Sequence, residues 1–229
     1  MMEEPASRST LEPVLAAHLD TLDGDLDGIA EPHRSAGRQL AQWLAAHYRP
    51  GITLPVVVVC TGNSRRSMLG AMMGNAAAAF IGLPEIRFWS AGTAPSAFNP
   101  RAIATLRAVG FEIAPTGHEA PRGSDGLPNP RYRVVWGSGQ GQELIEFSKA
   151  LGDPSLPKGG FAAVMVCDEA DAGCPIVPGA AMRISMPFAD PKAFDEGTEE
   201  QERYAAAGDT FGRLMMAVLW EVYCLLNSH

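Results

Sequence analysis

Four consecutive valines, Val56 to Val59, run directly into Cys60-Thr61-Gly62-Asn63-Ser64-Arg65-Arg66-Ser67, and a helix-periodic stretch begins at once behind them. A short, β-branched, uninterrupted apolar run suits a strand buried on both faces, as in a parallel sheet. Met68, Leu69, Met72, Met73, Ala76 and Phe80 then recur at i, i+3, i+4 spacing, which predicts a helix. Parallel strands need crossover connections and cover on both faces. This one stretch therefore points to an α/β architecture.

The rest of the chain continues the alternation. Ile86 to Ser90 reads as a strand, Pro100 opens a helix that Gly110 closes, Arg131 to Trp136 alternates like a strand, and Phe161 to Val166 is another buried strand ending at Cys167. Met182 to Met186 is a short strand, and a long amphipathic helix runs from about Glu199 to Leu226. Residues 115–130 are dense in Gly, Pro, Asp and Asn and read as loop. Gly137 to Gly141 reads as a turn followed by a helix to about Leu151. Ahead of the valine run, Leu11 to Leu22 and Glu31 to Tyr48 carry helical spacing on either side of a turn from Asp23 to Gly28. The division expected is a helical extension over 1–52 and a domain over 53–229, with an insertion at about 115–160.

Hydrophobic residues make up 46% of the 229, enough for a proper core, so disorder over most of the chain is excluded. The net charge of -8 disfavours a nucleic-acid partner. No apolar run reaches the roughly 20 residues of a membrane span, and MMEEPASRST lacks the form of a signal peptide. A cytoplasmic location is expected. There the four cysteines, Cys60, Cys167, Cys174 and Cys224, are thiols rather than a disulfide scaffold. The five histidines have no ligand spacing, and Cys167 and Cys174 are too far apart in sequence for a zinc pair, so no metal or other cofactor is expected. Cys224, on the last helix, reads as buried packing.

A loop that leaves a strand and enters a helix turns successive backbone N–H groups inward, and the helix dipole adds to their field. Residues Thr61, Gly62, Asn63, Ser64, Arg65, Arg66 and Ser67 thus read as a cradle for a tetrahedral oxyanion. The same field favours the thiolate form of Cys60 beneath it. Arg66 offers a planar, two-pronged donor to two anion oxygens. Gly62 and Asn63 tolerate positive φ, and the Ser67 hydroxyl can donate to the thiolate or cap the helix. The Gly-Lys-Ser/Thr ending of a nucleotide phosphate loop is missing.

Cys60 to Ser67 resembles the phosphate loop of the low-molecular-weight protein tyrosine phosphatases, and more closely that of their relatives, the thioredoxin-coupled arsenate reductases. Ser90-Ala91-Gly92-Thr93 and Asn99-Pro100 resemble the family's second strand end and next helix start. The resemblance spans roughly 55–113 and 161–226, and implies a parallel four-stranded sheet flanked by helices. Both branches use an Asp-Pro pair far downstream as general acid; Asp190-Pro191 matches, and Asp153-Pro154 is a decoy with no strand leading to it. Cys167 and Cys174, six residues apart, resemble the redox segment that the reductases carry and the phosphatases lack. The resemblance therefore implies arsenate reduction by a relay through Cys60, Cys167 and Cys174, with thioredoxin as reductant and a place in arsenical resistance. The alternative is hydrolysis of a phosphotyrosine or aryl phosphate through a Cys60 phosphocysteine. A non-catalytic oxyanion-binding role is opposed by the intact Cys60, Arg66 and Asp190.

Two departures stand out. Arg65 replaces a second loop cysteine and is expected to add positive potential at the mouth. Ala71 falls where the reductases carry a glutamate for potassium. The acidic Asp168, Glu169 and Asp171 imply an exposed segment, taken here as mobile around Gly173, and Phe194 alone after Asp190-Pro191 gives little support for a phenyl ring.

Overall fold

The computed structural model describes residues 5–22, 25–174 and 176–228. Readings placed on 1–4, on Asp23 and Gly24, on Pro175 and on His229 lie outside the described residues.

The valine run is the centre of the molecule. Strand β1 (Leu54–Cys60) pairs in parallel with β2 (Ile86–Gly92) on one side and with β6 (Phe161–Met165) on the other, and β7 (Ala180–Ser185) lies parallel beyond β6. The order β2-β1-β6-β7 makes a parallel four-stranded sheet flanked by helices, as expected. Successive strands run outward from β1 in both directions, so the chain reverses its winding between β1 and β6. In open α/β sheets, ligand crevices form outside the carboxyl ends of strands at such a point. Cys60 ends β1, and Cys167 lies just past the end of β6.

Helix α4 (Arg66–Ile81) is buried from Ser67 onward, because α7 (Glu200–Leu226) and the leader cover what the sheet does not. That explains its small residues. A Cβ on Gly74 would stand 2.7 Å from the Phe88 ring, and Ala76 to Ala79 are buried as well. Helix α5 (Pro100–Ala108) also packs on α7. The leader folds as a short turn α1 (Ala6–Ser9), α2 (Pro13–Asp20) and α3 (His33–His47). Leu15, Leu19, Leu40 and Leu44 are fully buried in the same hydrophobic cluster as the sheet.

The insertion departs from the sequence reading. Strand β3 (Glu112–Glu119) takes in 115–119, expected to be loop, and the expected helix before Leu151 is instead β5 (Glu143–Glu146). With β4 (Pro130–Val135) these form an antiparallel sheet of order β3-β4-β5. Pro115 is tolerated because β3 is an edge strand. Residues 137–141 are a plain turn, against which Gln142 folds back to accept from the Gly139 N–H at 3.1 Å. The segment between Cys167 and Cys174, expected to be mobile, is a short helix, α6 (Asp168–Gly173). Cys224 is exposed, not buried, since it lies on the outer side of α7. Among the described residues no helix is long and apolar enough to cross a membrane.

If the leader shares the core, truncating Leu40 leaves a cavity at its junction with α7. Leu40→Ala should cost roughly 2–5 kcal/mol in urea unfolding, as a single cooperative transition. A loss below about 1 kcal/mol would contradict the shared core.

Candidate active site

The 60–67 loop is tied down from outside. Thr93 N–H donates to the Cys60 carbonyl (3.2 Å), Ala94 to Thr61 (2.9 Å), Ser96 to Gly62 (3.0 Å) and Asn99 to Ser64 (3.0 Å). With the carbonyls taken up from outside, among the described residues no backbone carbonyl accepts from the N–H groups of 61–65, which suits them to bind an anion. Asn63 takes the left-handed conformation at φ 41°, whereas Gly62 needs no positive φ. The glycine that the loop requires is Gly92, whose added Cβ would stand 2.6 Å from the Thr61 carbonyl oxygen.

Ser67 settles the choice left open by the sequence. It does not cap the helix; its Oγ lies 3.1 Å from Cys60 Sγ. Asn63 Nδ2 donates to Ser67 Oγ (2.9 Å) and to Ser90 Oγ (2.8 Å), while its Oδ1 accepts from the Lys149 N–H (2.7 Å). Cys60 is buried at the bottom of a cavity of about 790 Å³, whose walls include Arg65, Arg66, Asp168, Glu169, Asp190 and Lys192.

Arg66 Nη2 lies 2.8 Å from Asp190 Oδ2 and 3.9 Å from Glu169 Oε2, and its Nη1 donates to the Phe188 carbonyl (3.1 Å). Asp190 Oδ1 accepts from the Lys192 N–H at 3.0 Å. Both Asp190 oxygens are thus engaged, one of them on the arginine that an anion would claim. Asp153, the decoy, lines a separate cavity with Pro154 and Leu156. The Glu169 carboxyl is held below its ordinary range, chiefly by its own N–H at the helix start, then by Arg66, with the Cys167 thiol adding to them.

Cys167 is buried, with Sγ 3.3 Å from Thr61 Oγ1, so the second thiol touches the loop itself. Cys174 caps the far end of α6, partly exposed, and its thiol donates to the Ile176 carbonyl (3.3 Å). Arg183 holds this helix in place. It donates to the Asp171 carboxylate (2.7 Å) and to the carbonyls of Asp171 (2.6 Å) and Cys174 (3.1 Å).

Arg65 does not add a free charge at the mouth. Its Nη2 pairs with Asp195 Oδ2 (2.7 Å) and its Nε donates to the Tyr204 hydroxyl (2.6 Å), which in turn donates to Asp195 Oδ1 (2.6 Å). Burial and then Asp195 push the Tyr204 hydroxyl up to about 12. Burial also raises the Asp195 carboxyl, but Tyr204, Arg65 and Arg101 together outweigh it and hold that carboxyl below its ordinary value. The leader contributes as well. His33 stacks on Phe188 (centroids 4.3 Å apart), and its Nε2 lies 2.7 Å from the Pro187 carbonyl, which can only accept, so Nε2 carries the proton. Phe188 also packs on Phe211, so the segment bearing Asp190 is braced from two sides. Local spacing carries no signal for His33 or Asp195, because their partners are distant in the chain. Among the described residues no cluster of His, Cys, Asp and Glu could hold a metal ion.

Residues 55–123 match the family model of the low molecular weight phosphotyrosine protein phosphatases. That is the superfamily the loop resembles. The match includes Cys60 to Ser67 and ends before Cys167 and Asp190. Comparison with curated proteins gives no match. Solved structures similar to the chain include a low molecular weight phosphotyrosine phosphatase from Vibrio cholerae O395 (15% identity, 74% of this chain and 96% of that one, TM-score 0.45). An arsenate reductase from Archaeoglobus fulgidus DSM 4304 (18%, 70% and 98%, 0.42) and a Bacillus subtilis low molecular weight protein tyrosine phosphatase (14%, 74% and 97%, 0.46) are also similar. Likenesses at this level assign no activity.

The Arg65–Asp195–Tyr204 clamp carries a pH signature. Because the Asp195 carboxyl is depressed in the folded chain, the stability it contributes is full above the unfolded aspartate value of about 3.9. It is lost as pH falls through the lower folded value. Asp195→Asn should therefore cost roughly 1–3 kcal/mol at pH 7 in urea unfolding, and the difference from wild type should shrink below about pH 4. A difference unchanged down to pH 3 would contradict the clamp.

Proposed function

We propose that this chain reduces arsenate to arsenite by a three-thiol relay. The observation that supports this reading above hydrolysis is the contact between Cys167 Sγ and Thr61 Oγ1, which sets a second thiol against the oxyanion loop. Hydrolysis of a phosphocysteine has no use for a second thiol beside the loop.

In this reading the loop N–H groups and Arg66 bind the oxyanion, and Arg66 lets go of Asp190 as it does so. The Cys60 thiolate attacks arsenic. An oxygen leaves as water, protonated by Asp190, and a Cys60–arsenic thioester remains. The Cys167 thiolate then attacks Cys60 Sγ. A disulfide forms, the sulfur–arsenic bond breaks with its electron pair staying on arsenic, and arsenic(V) leaves as arsenite. The Cys174 thiolate next attacks Cys167 Sγ and frees Cys60. Thioredoxin, as an external dithiol, returns the Cys167–Cys174 disulfide to thiols.

The last exchange needs α6 to open. A helical rise of about 1.5 Å per residue places the Cα atoms of Cys167 and Cys174 about 10 Å apart, whereas a disulfide spans roughly 4.4–6.8 Å. The Arg183 clamp has to release before Cys174 reaches its target. The second reading, an aryl phosphatase, is favoured by the match to the phosphatase family model and by the apolar groove beyond Asp190, lined by Phe188, Pro191, Phe194 and Phe211.

Arsenate-dependent NADPH oxidation with thioredoxin and its reductase, run beside hydrolysis of p-nitrophenyl phosphate, separates the two. Cys174→Ser should complete one turnover and then accumulate a Cys60–Cys167 disulfide in peptide maps, whereas Cys60→Ser should be inactive. Sustained turnover in Cys174→Ser, or Cys224 in the bond, would refute the relay. Asp190→Asn should slow the first step by roughly 10² to 10⁴-fold yet still protect Cys60 from alkylation when arsenate is added. Normal rates in that variant would remove Asp190 from the mechanism.

A further inference from the structure

The insertion reaches beneath the oxyanion loop with one segment, Glu146-Phe147-Ser148-Lys149, whose polar groups are almost all spent on the site. The Lys149 N–H donates to Asn63 Oδ1 and its carbonyl accepts from the Gly92 N–H (2.9 Å). Ser148 Oγ donates to the Gly62 carbonyl (3.0 Å) and accepts from the Ser96 N–H (2.9 Å). Asn129 grips Ser148 from behind, accepting from its N–H (3.1 Å) and donating to its carbonyl (2.7 Å). The Glu146 carboxylate accepts from the Ser90 hydroxyl. Lys149 Nζ donates to both Glu146 oxygens, each at 2.9 Å, and to the Phe147 carbonyl at 3.0 Å, so all three of its hydrogens are used. The two side chains are 1% and 0% exposed.

These bonds have a direction. A backbone N–H can only donate, so the Lys149 N–H fixes which end of the Asn63 amide is oxygen. The two Nδ2 hydrogens must then go to Ser67 and Ser90. Both hydroxyl oxygens accept, and their own hydrogens must point elsewhere: that of Ser67 to Cys60 Sγ, that of Ser90 to Glu146. Without a carboxylate to receive it, the Ser90 hydrogen has only the weak sulfur acceptor Met68 Sδ, 3.3 Å away, and the hydroxyl that accepts from Asn63 loses its anchor. Lys149 neutralises the carboxylate, so Ser90 is held without a bare negative charge under the anion. A buried ion pair adds little net stability over an apolar pair of the same volume, so what this one contributes is orientation.

We propose that the 146–149 segment is a positioning element for Cys60, setting the direction of the chain Lys149–Glu146–Ser90–Asn63–Ser67 so that it ends in an O–H aimed at the sulfur. The inference rests on Cys60 being the nucleophile.

The test is the rate at which iodoacetamide alkylates Cys60 at pH 6.5, read peptide by peptide, with inorganic phosphate as protecting anion. In wild type, Cys60 should react faster than the exposed Cys224; if it does not, the nucleophile reading fails on its own account. Glu146→Leu with Lys149→Met keeps an apolar fill but removes the acceptor for Ser90. With unchanged circular dichroism, it should react roughly tenfold more slowly and need roughly tenfold more phosphate for half protection, the scale of one charge-assisted hydrogen bond. Glu146→Gln with Lys149→Met keeps an acceptor and overall neutrality, and should stay within about twofold of wild type. A folded Leu/Met double variant at the wild-type rate, or two double variants equally slow, would overturn the proposal. Should the Leu/Met variant not fold, Ser90→Ala cuts the same chain with little change in volume. It should be slowed to the same degree, and a wild-type rate there would be equally fatal.

Discussion

Asn63 donates one amide hydrogen to Ser67 and the other to Ser90, while its oxygen takes the Lys149 N–H. These three bonds hold a non-glycine residue in the left-handed region, a conformation that costs energy unless its surroundings enforce it. With Asn63 fixed, the loop can turn its carbonyls out to residues 93–99 and its N–H groups in. The bare Cα of Gly92 allows the loop to lie that close to the end of β2. The sulfur, the cradle and the helix start are then in register because one amide is satisfied at all of its polar atoms.

The parts of this arrangement that are local in the chain were legible in the sequence. Val56 to Val59 behaves as a buried strand because four β-branched residues have nowhere else to go, and Cys60 to Ser67 lies between strand and helix as its residue types demand. What escaped reading depends on partners far away. Pro115 and Gly117 make 115–119 look like loop, and only pairing with β4 turns it into an edge strand. Glu143 to Glu146 carries helix-favouring residues, but pairing with β4 overrides that preference. His33, Asp195 and Lys149 are ordinary in their local sequence. They act on the site only because α3, α7 and the insertion are folded against it.

The cavity is organised around a competition for one guanidinium. Arg66 is largely enclosed and faces both Asp190 and Glu169. On the proposed mechanism an incoming oxyanion, which carries more charge than either carboxylate and meets the loop N–H groups as well, displaces Asp190 from the arginine. In the proposed reaction the freed carboxyl would then lie beside the oxygen that must leave. One exchange of partners would thus couple binding of the anion to release of the proposed acid. The brace of His33 and Phe211 on Phe188 keeps the Asp190 segment within reach during the exchange.

A crystal structure with inorganic phosphate bound tests this directly. The account predicts phosphate over Cys60 Sγ, held by the N–H groups of the 60–67 loop and by both prongs of Arg66, with Asp190 no longer bonded to the guanidinium. Phosphate seated elsewhere, or seated there while Arg66 stays paired with Asp190, would contradict it.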